Sequence, residues 1–105
     1  MVELCVRRGQ AGALTSAFQQ EFAPAISAQP GFRRVELLAT ESDDTMLLMI
    51  AFQSEDLRLA WVASDAHARV WPALASSIES FNGRTLMSVG SRTAASIESD
   101  SDDWG

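Results

Sequence analysis

The chain has 105 residues, of which 47% are hydrophobic and 21% are charged, and its formal net charge is −6. This size fits one domain with a modest core, and an acidic chain without a basic stripe is a poor partner for nucleic acid or for an anionic membrane surface. The single cysteine, Cys5, excludes an internal disulfide and a cysteine-rich zinc site.

The N-terminal part predicts a strand followed by a helix. Residues 2–8 alternate apolar and polar side chains, as a strand with one apolar face does. Residues 11–28 place apolar side chains four apart, which predicts an amphipathic helix. This stripe consists of Leu14, Phe18, Phe22 and Ile26. Pro24 lies inside the helix and is expected to kink or end it, because proline removes one helical hydrogen bond.

Two strands and a second helical region follow. Residues 33–40 and 45–52 predict a hairpin across a polar turn. The second of these strands is apolar on both faces, which is typical of a buried central strand. Ser54 is a good helix N-cap, and Ser64 has the features of another. We therefore expect one helix from Ser54 to about Ser64 and a restarted helix to about Glu79.

The C-terminal part predicts a last strand and an acidic tail. Asn82-Gly83 predicts a turn, and residues 84–89 predict the strand. Residues 91–105 are rich in Ser, Asp and Glu, which predicts a disordered tail, so the domain is expected to span residues 1–90. No apolar run approaches the roughly 20 residues of a membrane span, and no signal-peptide pattern is visible. These features predict a cytoplasmic protein without a membrane partner.

The predicted order of elements is β-α-β-β-α-β. This is an α+β, ferredoxin-like arrangement, in which helices cover one face of an antiparallel sheet. The other face also needs cover, because the strand at residues 45–52 is apolar on both faces. No other element of the chain remains to cover it, whereas a second subunit stacked sheet to sheet would. The sequence therefore predicts a homodimer.

The rarest side chains gather within residues 52–71. This stretch holds the only histidine, His67, together with Trp61 and Trp71. His67 is a candidate general base, because imidazole titrates near neutrality; the alternative is a structural histidine packed beside Trp71. The tryptophans are candidate walls of an aromatic pocket or, alternatively, core residues. A lone histidine without a cluster of other ligands does not predict a metal site.

Three motifs resemble, in this order, the antibiotic biosynthesis monooxygenase domain, a branch of the dimeric α/β-barrel superfamily. Residues 24–32 (PAISAQPGF) are similar to the helix end and the Pro-Gly-aromatic turn of that family. Residues 60–67 (AWVASDAH) are similar to its second helix, and residues 83–88 (GRTLMS) to its closing strand. The resemblance covers about residues 1–90 and implies a dimeric α/β barrel.

The resemblance implies a cofactor-independent monooxygenase acting on a small aromatic substrate such as a quinol, and no cofactor is expected. Related enzymes surround a phenolic substrate with Asn, Trp, Arg and often Tyr. This chain has no tyrosine, and its one asparagine, Asn82, lies at the predicted turn. Haem-degrading relatives place their iron-ligating histidine where this chain has Trp71, so haem degradation is not expected.

In this interpretation His67 is the base, Trp61 and Trp71 are the pocket walls, and an arginine binds the substrate anion. The strand side chains assigned to substrate binding are Arg7, Arg34, Glu36 and Arg84. Buried charges of this kind must be paired or bind a ligand, and the alternative is a set of interstrand or intersubunit ion pairs. The alternative function is a non-catalytic, ligand-binding or structural dimer of the same fold.

Overall fold

The computed structural model describes residues 1–92. Its elements, in chain order, are β1 (Val2–Val6), α1 (Ala11–Ala17), a π-helical segment (Phe18–Phe22), α2 (Ala23–Ser27), β2 (Phe32–Ala39), β3 (Thr45–Phe52), α3 (Glu55–Val62), α4 (Asp65–Ala75) and β4 (Ile78–Gly83). Most of the predicted tail, residues 93–105, lies outside the described residues. Within residues 1–92, no helix is long and apolar enough to cross a membrane.

The strands form one antiparallel sheet in the order β2-β3-β1-β4. The predicted hairpin is the pair of β2 and β3, and β3 lies inside the sheet, as its apolar character on both faces predicts. β2 and β4 are the two edges of the sheet. With the helical regions between β1 and β2 and between β3 and β4, this topology confirms the predicted ferredoxin-like α+β fold.

The core lies between the helices and one face of the sheet. Its buried hydrophobic side chains are Leu4, Val6, Leu14, Phe22, Ile26, Leu48, Trp61, Val70, Leu74 and Ile78. The predicted stripe of the first helical region supplies three of them. Burying one large aliphatic or aromatic side chain stabilises the fold by roughly 1.5–3 kcal/mol, so the positions of the helices are set mainly by this shared core.

The opposite face of the sheet is not covered by another element of residues 1–92. Side chains alternate along a strand, so the neighbours of the buried Leu4 and Leu48 point away from the helices. This open face carries Glu3, Cys5, Arg34, Glu36, Leu38, Leu47 and Met49. Leu47 pairs with Leu38 on β2 and with Glu3 on β1. The open face therefore has an apolar patch of Leu38, Leu47 and Met49 on β2 and β3, with the charged Glu3 and Glu36 beside it.

The first helical region contains a wide turn next to its proline. Within the π-helical segment the amide of Ala23 bonds to the carbonyl of Phe18, five residues earlier. Pro24, which has no amide hydrogen, follows at the start of α2. The expected disruption of the helix near Pro24 thus includes a change in the hydrogen-bond pattern, of the kind seen in π-bulges.

The end of the described chain differs from the prediction. α4 ends at Ala75, earlier than expected, and β4 is Ile78–Gly83 rather than residues 84–89. Asn82-Gly83, predicted as a turn, lies within β4 and pairs with β1. Strand formation depends strongly on the neighbouring strand. Here the pairing with β1 and the burial of Ile78 outweigh the local turn preference of Asn-Gly.

Candidate active site

His67 is the third residue of α4, and a serine cap holds its backbone. Ser64 Oγ accepts a hydrogen bond from His67 N at 3.1 Å and donates one to the carbonyl of Trp61 at 2.7 Å. One hydroxyl thus joins the end of α3 to the start of α4. The predicted cap at Ser64 is confirmed, and it explains why His67 and Trp61 lie side by side although they belong to different helices.

The imidazole of His67 contacts both indole rings of the predicted site. Trp61 meets it edge to face, with ring centroids 5.1 Å apart and an angle of 78° between the rings. Trp71 stacks nearly parallel to it, at 5.9 Å and 10°. His67 and Trp71 are four residues apart in α4, which places them on one side of the helix. The structure therefore brings together the three rare side chains of residues 52–71.

Two phenylalanines extend this contact. Phe22 meets Trp61 edge to face at 5.7 Å, and Phe81 meets Trp71 in the same way at 5.2 Å. We call Phe22, Trp61, His67, Trp71 and Phe81 the aromatic series. It begins in the core, where Trp61 is 2% exposed, and ends at the sheet edge, where Phe81 is 59% exposed. Phe22 and Phe81 lie in different elements from Trp61 and Trp71. Their contacts with the tryptophans therefore cannot be predicted from a spacing within one helix or strand.

The surroundings of His67 favour its neutral form. Burial lowers the pKa of His67 below its usual value, because desolvation penalises the charged imidazolium. A neutral imidazole has one donor and one acceptor nitrogen. Within residues 1–92, neither ring nitrogen of His67 makes a hydrogen bond to the protein. The side chain can therefore exchange a hydrogen bond or a proton with a ligand that reaches it.

The predicted charged residues of the second strand lie on the open face. Arg34 and Glu36 are two residues apart on β2, and their side chains form an ion pair at 3.2 Å. His67 lies on the helix side of the sheet, so the fold does not place this pair beside it within one chain. This ion pair lies within one strand, so it is neither interstrand nor intersubunit, and the role of both residues in substrate binding stays a prediction.

The other two predicted arginines lie just after strands. Arg7 follows β1, and its amide bonds to the carbonyl of Ser77 at 2.9 Å. Arg84 follows β4 and exchanges backbone hydrogen bonds with Met1 at 2.8 and 2.9 Å. Both side chains belong to exposed residues. The structure does not join either guanidinium to the aromatic series, and their binding roles stay predictions.

Two surface grooves lie near the helices. One, of about 320 Å³, is lined by Ala75, Ile78, Glu79, Ser80 and Phe81. The other, of about 420 Å³, lies between the first helical region and α4, and its lining includes Glu21, Arg69 and Val70. His67 lines neither groove. The first groove adjoins the aromatic series through Phe81, so it is the nearer approach for a flat ligand.

Comparison with known proteins identifies the chain's relatives. The family model described as antibiotic biosynthesis monooxygenase matches residues 1–71, and no curated protein matches. A Nitrosomonas europaea structure assigned to the same monooxygenases has a TM-score of 0.72 at 17% identity, covering 84% of this chain and 86% of that one. SnoaB of Streptomyces nogalater, a cofactor-independent oxygenase, has a TM-score of 0.65 at 18% identity, covering 85% and 94%.

A third similar structure, a conserved protein of Methanosarcina mazei, has a TM-score of 0.65 at 10% identity, covering 77% of this chain and 83% of that one. At these identities the solved structures support the fold alone. The family model also supports family membership, because it matches well over half of the 105 residues. The chain belongs to the antibiotic biosynthesis monooxygenase family.

Proposed function

We propose that the protein is a cofactor-independent monooxygenase that oxidises a small aromatic substrate of the quinol or anthrone type. The observation that carries this proposal is the half-buried His67, whose pKa is lowered by burial and whose ring lies against Trp61 and Trp71. Membership of the family supports it, as does the similarity to SnoaB, which is itself a cofactor-independent oxygenase.

In the proposed reaction His67 removes a proton from the substrate. The resulting carbanion or phenolate is electron-rich and reduces dioxygen directly. For an anthrone, one oxygen atom becomes the new carbonyl, and the other leaves as water with the two hydrogens of the oxidised carbon. The protein orients the substrate and keeps water away from the anion, which raises its reactivity. A general base typically contributes about 10²–10⁴ in rate.

The aromatic side chains supply the proposed binding surface. Trp71 and Phe81 lie at the exposed end of the aromatic series, where a flat ring could stack. Trp61 is buried and supports His67 from the core. Arg7, Arg34 and Arg84 are kept as proposed partners of the substrate anion, and Glu36, which pairs with Arg34, is kept as a further substrate-binding residue. The Arg34–Glu36 pair is proposed to act in the dimer rather than within one chain.

The assembly is part of the same proposal. Two copies stack their open faces, so that the apolar Leu38, Leu47 and Met49 leave water, and a dimeric α/β barrel results. This would remove apolar surface that the single chain leaves uncovered. The proposal also includes a domain at residues 1–90, an acidic tail at residues 91–105 and a cytoplasmic location.

Oxygen uptake tests the activity. Wild type is incubated aerobically with a panel of anthrones and quinols while dissolved oxygen is recorded. We expect uptake with at least one substrate and a loss of about 10²–10⁴ in rate for His67→Ala. Arg69→Gln, an exposed change on the same helix, serves as the matched control and should keep the wild-type rate. Absence of uptake across the panel, or equal rates for His67→Ala and wild type, would refute the proposed chemistry.

A second candidate function is ligand binding without catalysis. It is favoured by Trp61, which is 2% exposed and packs as a core residue, and by the absence of His67 from the two grooves. The same aromatic panel distinguishes the two functions. If calorimetry shows saturable binding and no oxygen is consumed, the result supports ligand binding without catalysis. Turnover that depends on His67 supports the monooxygenase.

A further inference from the structure

Glu79 is the extra residue of a β-bulge in β4. Ser80 pairs with Cys5 on β1. Ile78 pairs with the next residue of β1, Val6, so no residue of β1 lies opposite Glu79. A bulge interrupts the alternation of side chains along a strand, and bulges are frequent at sheet edges and next to active sites, where they re-aim a side chain. β4 is an edge of the sheet, so the bulge sets the direction of the Glu79 side chain at this edge.

The carboxylate of Glu79 lies in the groove that adjoins the aromatic series. This groove of about 320 Å³ is lined by Glu79 together with Ile78 and Phe81, and Phe81 meets Trp71 with ring centroids 5.2 Å apart. Its volume is within the range of small-molecule sites, roughly 300–1,000 Å³. A flat ligand that stacks on Phe81 therefore shares the groove with the Glu79 carboxylate.

The charge of Glu79 is not compensated within this groove. The other lining residues are Ala75, Ile78, Ser80 and Phe81, none of which is charged. Within residues 1–92, neither an ion pair nor a side-chain hydrogen bond occupies the carboxylate. The second groove differs, because its lining includes a cation, Arg69, as well as an acid, Glu21. The groove beside the aromatic series thus presents one negative charge next to an aromatic wall.

An unpaired carboxylate distinguishes ligands by their polar groups. An ionised carboxylate only accepts hydrogen bonds, so it binds a donor such as a phenolic hydroxyl. A hydrogen bond of this charge-assisted kind is shorter and roughly twice as strong as one between neutral groups. A carboxylate on the ligand has no proton to donate, and it is repelled by the like charge at short distance.

We propose that Glu79 determines substrate specificity by accepting a hydrogen bond from a hydroxyl group of a neutral, hydroxylated aromatic substrate and by excluding aromatic substrates that carry a carboxylate. The inference rests on the proposed function and names the substrate class of the same site. Removal of the proton stays with His67, which contacts the other partner of Phe81 in the series, Trp71. Glu79 therefore acts on binding and is not needed as a base.

Calorimetry with two stable product analogues tests the inference. The probes are a dihydroxyanthraquinone and the same quinone carrying one carboxylate, neither of which consumes oxygen. We expect wild type to bind the neutral quinone at least about fivefold more tightly than the carboxylated one. In Glu79→Gln, which removes the charge and keeps the size of the side chain, the ratio of the two dissociation constants should fall below about twofold.

Two further variants separate charge from structure. Glu79→Asp keeps the carboxylate and should retain the preference for the neutral quinone. Glu21→Gln, the matched control, removes the same charge from the other groove and should leave the ratio unchanged. Raising the salt concentration from about 0.05 M to 0.5 M should narrow the ratio in wild type and leave it unchanged in Glu79→Gln, because salt screens exposed charges.

Equal affinities of wild type for the two quinones, an unchanged ratio in Glu79→Gln, or no binding of either quinone would overturn the inference. Oxygen uptake with an anthrone is measured separately. Selective binding without any uptake would contradict the proposed reaction alone, whereas uptake that depends on His67 with equal affinities for the two quinones would contradict the role of Glu79 alone.

Discussion

Burial of the His67 imidazole makes the stability of the domain depend on pH. In the folded chain its pKa lies below the usual value of about 6.5. The unfolded chain therefore binds a proton at a higher pH than the folded chain does. The contribution of His67 to the free energy of unfolding is greatest above about pH 6.5. It falls as the pH drops through the folded-state pKa.

Replacing His67 should remove this dependence. We expect the stability of His67→Gln to change less than that of wild type between about pH 7.5 and pH 5.5, measured by urea unfolding at a series of pH values. Asp44 and Glu55 do not interfere in this window: hydrogen bonds from Ser42 and Thr45 lower the pKa of Asp44, and one from Arg58 lowers that of Glu55. Parallel stability curves for the two proteins would rule out the assigned shift.

Some of the site was predictable residue by residue. The spacing of His67 and Trp71 places them on one side of a helix, and the cap signal at Ser64 locates the helix start that brings Trp61 close. Phe81 could not be found in this way, because its contact with Trp71 depends on the pairing of β4 with β1. Which side of the sheet carries Arg34 follows from strand register, which one sequence does not specify.

At the level of secondary-structure elements, the junction of α3 and α4 depends on one hydroxyl. Ser64→Ala should lower the free energy of unfolding by about 1 kcal/mol, as the loss of an N-cap typically does. It should also loosen the contact of Trp61 with His67, and the pKa of His67 should move toward its usual value as water reaches the ring. Urea unfolding and an NMR titration of the imidazole measure the two effects.

Ser54→Ala is the matched control, since Ser54 caps α3 through Leu57 and does not touch the aromatic series. It should destabilise the domain by a similar amount and leave the titration of His67 unchanged. If both variants shift the pKa of His67 equally, the shift comes from a general loss of helix stability, and the proposed specific role of Ser64 is contradicted.

The elements differ in how far sequence alone determines them. For the strand at residues 45–52 the prediction and the structure have the same bounds, because a continuous apolar run between polar segments is typical of a buried strand. The predicted last strand, residues 84–89, lies too late in the chain, because Asn82-Gly83 carries a strong turn signal that the pairing with β1 overrides. The π-helical segment had no specific signal beyond the proline that follows it.

For the whole molecule, the open face of the sheet decides the assembly. A charged residue in the apolar patch of Leu38, Leu47 and Met49 should prevent stacking, because burying a charge in an interface is costly. We expect wild type to have about twice the chain mass by light scattering, and Leu47→Arg to raise the dimer dissociation constant at least tenfold. The variant should remain folded by circular dichroism, since Leu47 is outside the buried core.

The control for this change is Leu59→Arg, which places the same charge on α3 at a residue that is 50% exposed. It should behave as wild type in light scattering. A wild-type monomer, or an unchanged dissociation constant in Leu47→Arg, would show that the open face is not the interface.

The edge strand β2 has a consequence for polymerisation. In the single chain β2 is an edge of the sheet, and an eight-residue edge can in principle pair with a strand of another copy. β2 carries Arg33, Arg34 and Glu36 along this edge. Charged side chains on an edge disfavour the addition of another strand. These three residues would thus oppose edge-to-edge pairing of single chains and keep the protein from forming fibres at high concentration.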